Sequence, residues 1–422
     1  MKPAVPLMSL DEALERLFSG AQPGLIREVQ TVSLMDAAGR VLAQPLRSLI
    51  DVPPGDNTSM DGYAVRCGDV PQPGTRLPVS QRLPAGQVGS ALEPGTAARI
   101  FTGAQLPPGA DAVVLQEQCQ ALAAADGQGL GFVVVQANPQ VGQWIRRRGE
   151  DVQAGSVVLP AGRRFTPQAI GLAASVGCAD VVVLRRPRVA LFSTGDELVM
   201  PGEVSPEHLR PGAIYNSNRY TLRGLLIAAG CEVTDLGIVP DRLEATRAVL
   251  RQAAQGHDLI LTSGGVSVGE EDHIKPAVQA EGRLDLWQMA IKPGKPLAFG
   301  SIRTGGPREA LFVGLPGNPV SSFVTFLVAV APLLRCLQGM PHQSFKPQLL
   351  RADFDWPKPD RRREFLRSRL NERGGLDLFP NQSSGVLTSA VWADGLVDNP
   401  ADSAIVQGQL VPFLSFTDLL FA

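Results

Sequence analysis

Residues 258–282, DLILTSGGVSVGEEDHIKPAVQAEG, read as a strand, a glycine turn and a helix in immediate succession. DLILT is a short apolar run bounded by turn residues, the signature of a buried strand. EDHIKPAVQAEG reads as a helix, with Pro276 required to fall in its first turn. Between them, Gly264 and Gly265 would let backbone N–H groups approach an anion at the start of a helix. Glu270, Glu271 and Asp272 follow at once and would repel that anion, unless they serve as helix N-terminal acids or share a cation with it. The turn lacks the Lys-Ser/Thr ending of a Walker A loop and is not GxGxxG.

Outward from this unit the rhythm repeats. RVALFST, EVTDLGIV and ALFVGLPGN read as strands, and NSNRYTLRGLLIAAG and LEATRAVLRQAAQ as helices, so residues 187–339 form a doubly wound, parallel α/β domain. Five polar clusters each follow a strand: STGDEL (193–198), VPDR (239–242), TSGGVSVGEED (262–272), KPGKP (292–296) and LPGNP (315–319). Ligands of open α/β sheets bind beyond the carboxyl ends of the strands, so the clusters predict a pocket there. Its candidate ligand-binding residues are Ser193, Gly195, Gly264, Gly265, Ser267, Pro316, Gly317 and Asn318, although Asn318 before Pro319 also suits a helix cap. Lys292 and Lys295 stand on a loop stiffened by two prolines, where they suit an anion better than bulk solvent. Carboxylates beside phosphates fit Mg²⁺ held between them, which reconciles the acids with the glycines.

The flanks differ. Residues 31–186 are short apolar runs punctuated by glycine and proline, β-rich with one helix at Thr166–Gly177, and ALAAADGQGLG reads as a hairpin tip. Beyond Met340 short β runs return, predicting a small C-terminal β domain. In 422 residues, Lys+Arg 39 against Asp+Glu 41 leaves a net charge of −2, which gives no general attraction to nucleic acid or anionic lipid. Five scattered cysteines without CxxC spacing predict neither a disulfide framework nor a zinc site, and fit a reducing, cytoplasmic compartment. The first 18 residues read as an amphipathic helix rather than a signal peptide. The apolar run 320–334 is short for a membrane span and reads as a buried helix.

The motifs NTSMDGYAVR, RIFTGAQLPPGADAVV, RRRGEDVQAG, STGDEL, TSGGVSVGEEDH, IKPGKP and GLPGNPVSS, in this order, resemble the MoeA family of molybdopterin molybdenumtransferases, which includes the E domain of gephyrin. The resemblance spans essentially the whole chain. It implies four domains: a discontinuous linker domain (1–50 and 146–186), a β-rich domain (51–145), the α/β domain (187–339) and a C-terminal β-barrel (340–422). It implies a homodimer with a shared site, and molybdenum insertion from molybdate into adenylated molybdopterin with Mg²⁺-dependent release of AMP. Partners it suggests are a molybdopterin adenylyltransferase and recipient apo-molybdoenzymes.

Carried over by motif, Asp61 and Thr102 would act from the second domain. Glu197, Asp241 and Asp272 would surround Mg²⁺. Lys292, Lys295 and Ser384 would hold molybdate, together with an arginine for which Arg362 and Arg367 both fit. His273 stands where an aromatic residue is common, and NQSSG replaces a more usual His-Gln-Gly-Ser. A molybdopterin adenylyltransferase and a non-catalytic, gephyrin-type scaffold are the alternatives.

Overall fold

The apolar runs at 188–194, 259–263 and 309–315 lie side by side in one sheet, with helices on both faces. The computed structural model describes residues 7–124, 128–266, 273–342 and 344–421, with the side chains of Leu286 and Trp287 excepted. The chain divides into two units, Met1–Gln30 with Gly39–Val41 and Val183–Ala422, and Thr31–Ala38 with Leu42–Val182.

In the first unit the central sheet comprises β1 (Arg188–Thr194), β2 (Glu232–Val239), β3 (Leu259–Ser263), β4 (Gly282–Gln288), β5 (Pro296–Arg303) and β6 (Glu309–Leu315), in the order β2-β1-β3-β6-β5-β4. β2, β1, β3 and β6 are parallel. The expectation of a parallel sheet is corrected at one strand. β5 runs antiparallel to both β6 and β4, because 304–308 makes only a hairpin and a parallel crossover needs a dozen or more residues. β4 therefore points the same way as the parallel four, and its carboxyl end shares their edge.

Side chains alternate between the faces of these strands. Val189, Leu191, Leu259, Leu261, Leu311 and Val313 pack in the core that holds α1 (Leu10–Ala21) and α2 (Ser217–Ala228). Ala190, Phe192, Ile260 and Phe312 pack in the core that holds α3 (Leu243–Ala254) and α4 (Ile274–Glu281). α1 starts at a capping box, in which Glu12 N–H donates to Ser9 Oγ (3.2 Å) and Ser9 N–H to Glu12 Oε2 (2.9 Å). α2 starts where Arg219 N–H donates to Asn216 Oδ1 (3.1 Å). The first core also contains a helix running Pro319–Leu337 with a π turn at Phe326–Val330. At 19 residues it is longer than the run read from the sequence and apolar enough to cross a membrane, yet 78% of its most apolar window is buried within the protein. It is a core helix, apolar all round because protein surrounds it.

Phe299 on β5 lies directly on Gly20 of α1 and is 2% exposed. Phe299→Ala leaves a cavity that neither backbone can close, and stability should fall by about 3–5 kcal/mol, read from the denaturant midpoint.

The C-terminal strands Gln348–Arg351, Arg363–Leu370, Gly395–Asn399 and Leu410–Ser415 form one sheet, with Leu376–Leu378 paired to Arg363–Leu370. A bridge between Ala352 and Leu376 closes this sheet on itself, around Leu366, Val397, Val411 and Phe413. The predicted barrel is present. Ile291–Lys292, just after β4, adds to it in parallel, with Lys292 opposite Glu364.

The second unit is β-rich. Its six-stranded sheet runs Ala112–Leu115, Gly62–Val65, Ala97–Ile100, Thr75–Leu83, Phe132–Val135, Cys119–Leu122. The last two strands are antiparallel neighbours, as the hairpin reading requires; residues 125–127 of its tip lie outside the described residues. The one helix expected here spans Pro167–Ser175, with Pro167 in its first turn and Ala169 N–H donating to Thr166 Oγ1 (3.3 Å). All five cysteines are free thiols.

Candidate functional site

The carboxyl edge of the central sheet opens into a cleft of about 940 Å³ within the first unit. All five strand-end clusters reach it, through Gly195 and Glu197, Asp241, Gly264 and Gly265, Lys292 and Lys295, and Pro316, Gly317 and Asn318. The barrel contributes Arg362 and Gln382 to Gly385, so Ser384 joins the same cleft. Ser384 is held there because its carbonyl accepts from Val320 N–H (3.0 Å), in the first turn of the Pro319–Leu337 helix.

The glycine turn is built for close approach. Gly264 and Gly265 take φ of +89° and +66°, a left-handed conformation that glycine adopts without strain. A Cβ on Gly265 would sit 2.5 Å from Ile274 Cγ1, so nothing larger fits between the turn and α4. Gly317 backs onto the turn, and Asn218 Nδ2 donates to the Gly317 carbonyl (2.7 Å), tying α2 to the LPGNP loop. Asn318 occupies the N-cap position, yet its side chain makes no capping bond and is exposed at the cleft. The helix-cap reading of the Asn318 side chain is thereby corrected: Ser322 Oγ donates to the Pro316 carbonyl and Ser322 N–H to the Asn318 carbonyl, so the turn is held without the amide.

The cations differ from what spacing suggests. Lys295 is exposed and makes no ion pair among the described residues. Lys292, on the same loop, is already engaged: its Nζ donates to Glu364 Oε1 (3.0 Å) and lies 3.3 Å from Asp360 Oδ2. Glu364 is fully buried and also accepts from Trp356 Nε1 (2.8 Å). Arg362 lines the cleft while its Nε and Nη2 grip Asp360, each at 3.0 Å. The Arg362 guanidinium holds the Asp360 carboxyl far below the usual carboxylate range.

Two expected residues stand elsewhere. Arg367 is 1% exposed, buried against the segment 383–389 and bonded to Ser389 Oγ and the carbonyls of Phe365 and Ser383, and burial pushes its pKa down to about 10. Between the two arginines the cleft takes Arg362, because Arg367 is buried on the face of its strand opposite to Leu366, against Ser383 and Ser389. Ser193 is buried within β1. Ser267 and Asp272 lie outside the described residues, as do Glu270 and Glu271. Among the described residues no three His, Cys, Asp or Glu side chains gather as a metal site, while Glu197 and Asp241 both reach the cleft.

Asp61 and Thr102 belong to the second unit and form a pair there. Thr102 N–H and Oγ1 both donate to Asp61 Oδ1, at 2.8 and 2.7 Å. The Thr102 N–H bond, with the hydroxyl next, lowers the Asp61 pKa. A carboxylate with a depressed pKa contributes stability above its unfolded pKa and loses it as pH falls through the folded value. Thr102→Val removes the hydroxyl donor and should raise the Asp61 pKa toward the usual carboxylate range, as a carboxyl NMR titration would show.

Sequence reading missed Asn216, Asn218, Gln382 and the Asp360–Glu364 pair. Asn216 and Asn218 open a predicted helix and read as helix-start residues only; Gln382 lies in NQSSG, of which only Ser384 is singled out, and nothing local marks the Asp360–Glu364 pair behind the cleft.

A glycine turn, helix starts and cations gathered beyond the carboxyl ends of a doubly wound sheet define an α/β protein built to hold an anionic ligand. The sequence matches the MoeA N-terminal region (domain I and II) over residues 8–177, a probable molybdopterin binding domain over 190–336, and the MoeA C-terminal region (domain IV) over 350–416. It is 40% identical over 377 residues to a molybdopterin molybdenumtransferase of Haemophilus influenzae, covering 88% of this chain and 89% of the relative. It is 38% identical to one from Nostoc, covering 81% and 77%. A crystal structure of the molybdopterin biosynthesis moeA protein from Pyrococcus horikoshii OT3 superposes with a TM-score of 0.81 at 27% identity, over 97% of this chain and 100% of that one. The chain belongs to the MoeA family of molybdopterin molybdenumtransferases.

Proposed function

We propose that this protein takes molybdate and adenylated molybdopterin, places molybdenum on the pterin dithiolene and releases AMP. The observation that carries the reading is the convergence of the Gly264–Gly265 turn, Glu197, Asp241, Lys295 and Arg362 on one cleft. The turn N–H groups suit the diphosphate of a nucleotide anhydride. Lys295, Arg362 and Ser384 suit a tetrahedral oxyanion beside it. Relatives named molybdopterin molybdenumtransferase support the same assignment.

The donor set fits Mg²⁺. Glu197 and Asp241 offer hard carboxylate oxygens on the cleft, and such an ion commonly takes only one or two carboxylates with phosphate and water completing its shell. Asp272 is proposed as a third acid. When bound there, the ion would neutralise phosphate charge and polarise the anhydride.

We place Asp61 and Thr102 at the site of a second copy, making the working enzyme a cytoplasmic homodimer. A molybdopterin adenylyltransferase would supply its substrate and apo-molybdoenzymes would take its product.

The test mixes purified protein with adenylated molybdopterin and molybdate, with and without Mg²⁺. AMP release with a metal-loaded pterin, in the Mg²⁺ sample only, is the expected result. Consumption of ATP with free molybdopterin would make it an adenylyltransferase, and a well-folded but silent protein would make it a scaffold. Either outcome overturns the proposal.

A further inference from the structure

The two cations on the barrel side of the cleft are neutralised from behind. Lys292 and Arg362 line the cleft, whereas Asp360 and Glu364, which pair with them, do not. Formal charges within this group cancel. The two acids are unlike each other. Glu364 is fully buried and bonded to Trp356, so the barrel needs it for packing as well as pairing. Asp360 retains 23% side-chain exposure, and among the described residues the side-chain groups its carboxylate contacts are these two cations, Lys292 at 3.3 Å and Arg362 at 3.0 Å through both oxygens. A partly exposed ion pair contributes little to stability. A fixed negative charge directly behind an oxyanion subsite acts strongly on any anion that enters it.

We propose that Asp360 is a positioning residue that sets the oxyanion affinity of the cleft. It orients Lys292 and Arg362 and offsets their charge, so that a tetrahedral dianion such as molybdate is held weakly enough to move on. Binding an early substrate tightly would deepen the ground state without lowering the barrier to transfer. Arg362 Nε and one N–H of Nη2 are spent on Asp360, which leaves Nη1, unbonded among the described residues, to meet the anion. The inference rests on the cleft reading above, in which Arg362 faces the oxyanion, and adds Lys292, which lines the same cleft.

The test measures molybdate affinity of the full chain by equilibrium dialysis, with tungstate as a second probe. Asp360→Asn keeps an oxygen to accept the Arg362 N–H bond, now 3.1 Å long, while removing the charge. The dissociation constant should fall roughly tenfold, and log affinity should depend more steeply on log salt. Asp360→Ala loses the tether too and should bind more weakly than Asp360→Asn. If the Asn variant loses its fold, Asp360→Ser takes its place. Unchanged or weaker binding by a folded neutral variant overturns the inference, because it would make Asp360 a tether alone. Arg362→Ala separates this failure from the other: if it leaves molybdate binding intact, the oxyanion subsite itself is misplaced.

Discussion

Replacing Gly294 with alanine should cut turnover about a hundredfold while leaving a folded protein. Gly294 sits between Lys292 and Lys295 at φ +112°, a conformation L residues rarely adopt. A Cβ there would lie 2.3 Å from Thr325 Oγ1 and 3.5 Å from the Ser321 carbonyl. Thr325 belongs to the buried helix, which cannot retreat, so the loop must lift away and carry both lysines with it. A displacement of about 1 Å at a binding group is worth on the order of a hundredfold in rate. Steady-state AMP release measures the loss. Thr325→Ala in the same chain removes the nearest obstructing atom and should restore part of the activity, since the φ strain persists. An alanine variant with full activity would show that the loop has no fixed place in the reaction.

The second large effect separates two lysines that look equivalent on paper. Lys295→Ala should lower kcat/KM for molybdate about a hundredfold, mostly through KM, with the melting midpoint unchanged, because the side chain is exposed and unpaired among the described residues. Lys292→Ala should also lower activity, but it strands the buried Glu364 carboxylate without its cation. Discounted for the partial exposure of Lys292, that costs roughly 1–3 kcal/mol of stability. Thermal melts of both variants beside their kinetics check the contrast. Equal midpoints would mean that Glu364 does not depend on Lys292.

Much of the cleft was legible because its parts are local. A strand followed by glycines and a capped helix is encoded in adjacent residues, so TSGG, GDEL, PD and LPGN could each be placed at a strand end without knowing any neighbour. Parallel strands then bring those ends to one edge by topology alone. The Arg362 and Arg367 alternatives stayed open in the sequence because both follow from the same motif. The fold settles their placement by burying Arg367 against the segment 383–389, where it is bonded to carbonyls and to Ser389.

The sequence by itself determined the order of strands and helices, the glycine turn and the five polar strand ends, since periodicity and capping act over a few residues. Only the tertiary structure decided that β5 runs backward, that the Asn318 side chain makes no capping bond, and that Lys292 is paired while Lys295 is not among the described residues. The partner of Lys292 is Glu364, 72 residues further along the chain. It arrives through the register of Ile291–Lys292 on a barrel strand. Pairing across that separation depends on how two distant segments align, and no local pattern records it.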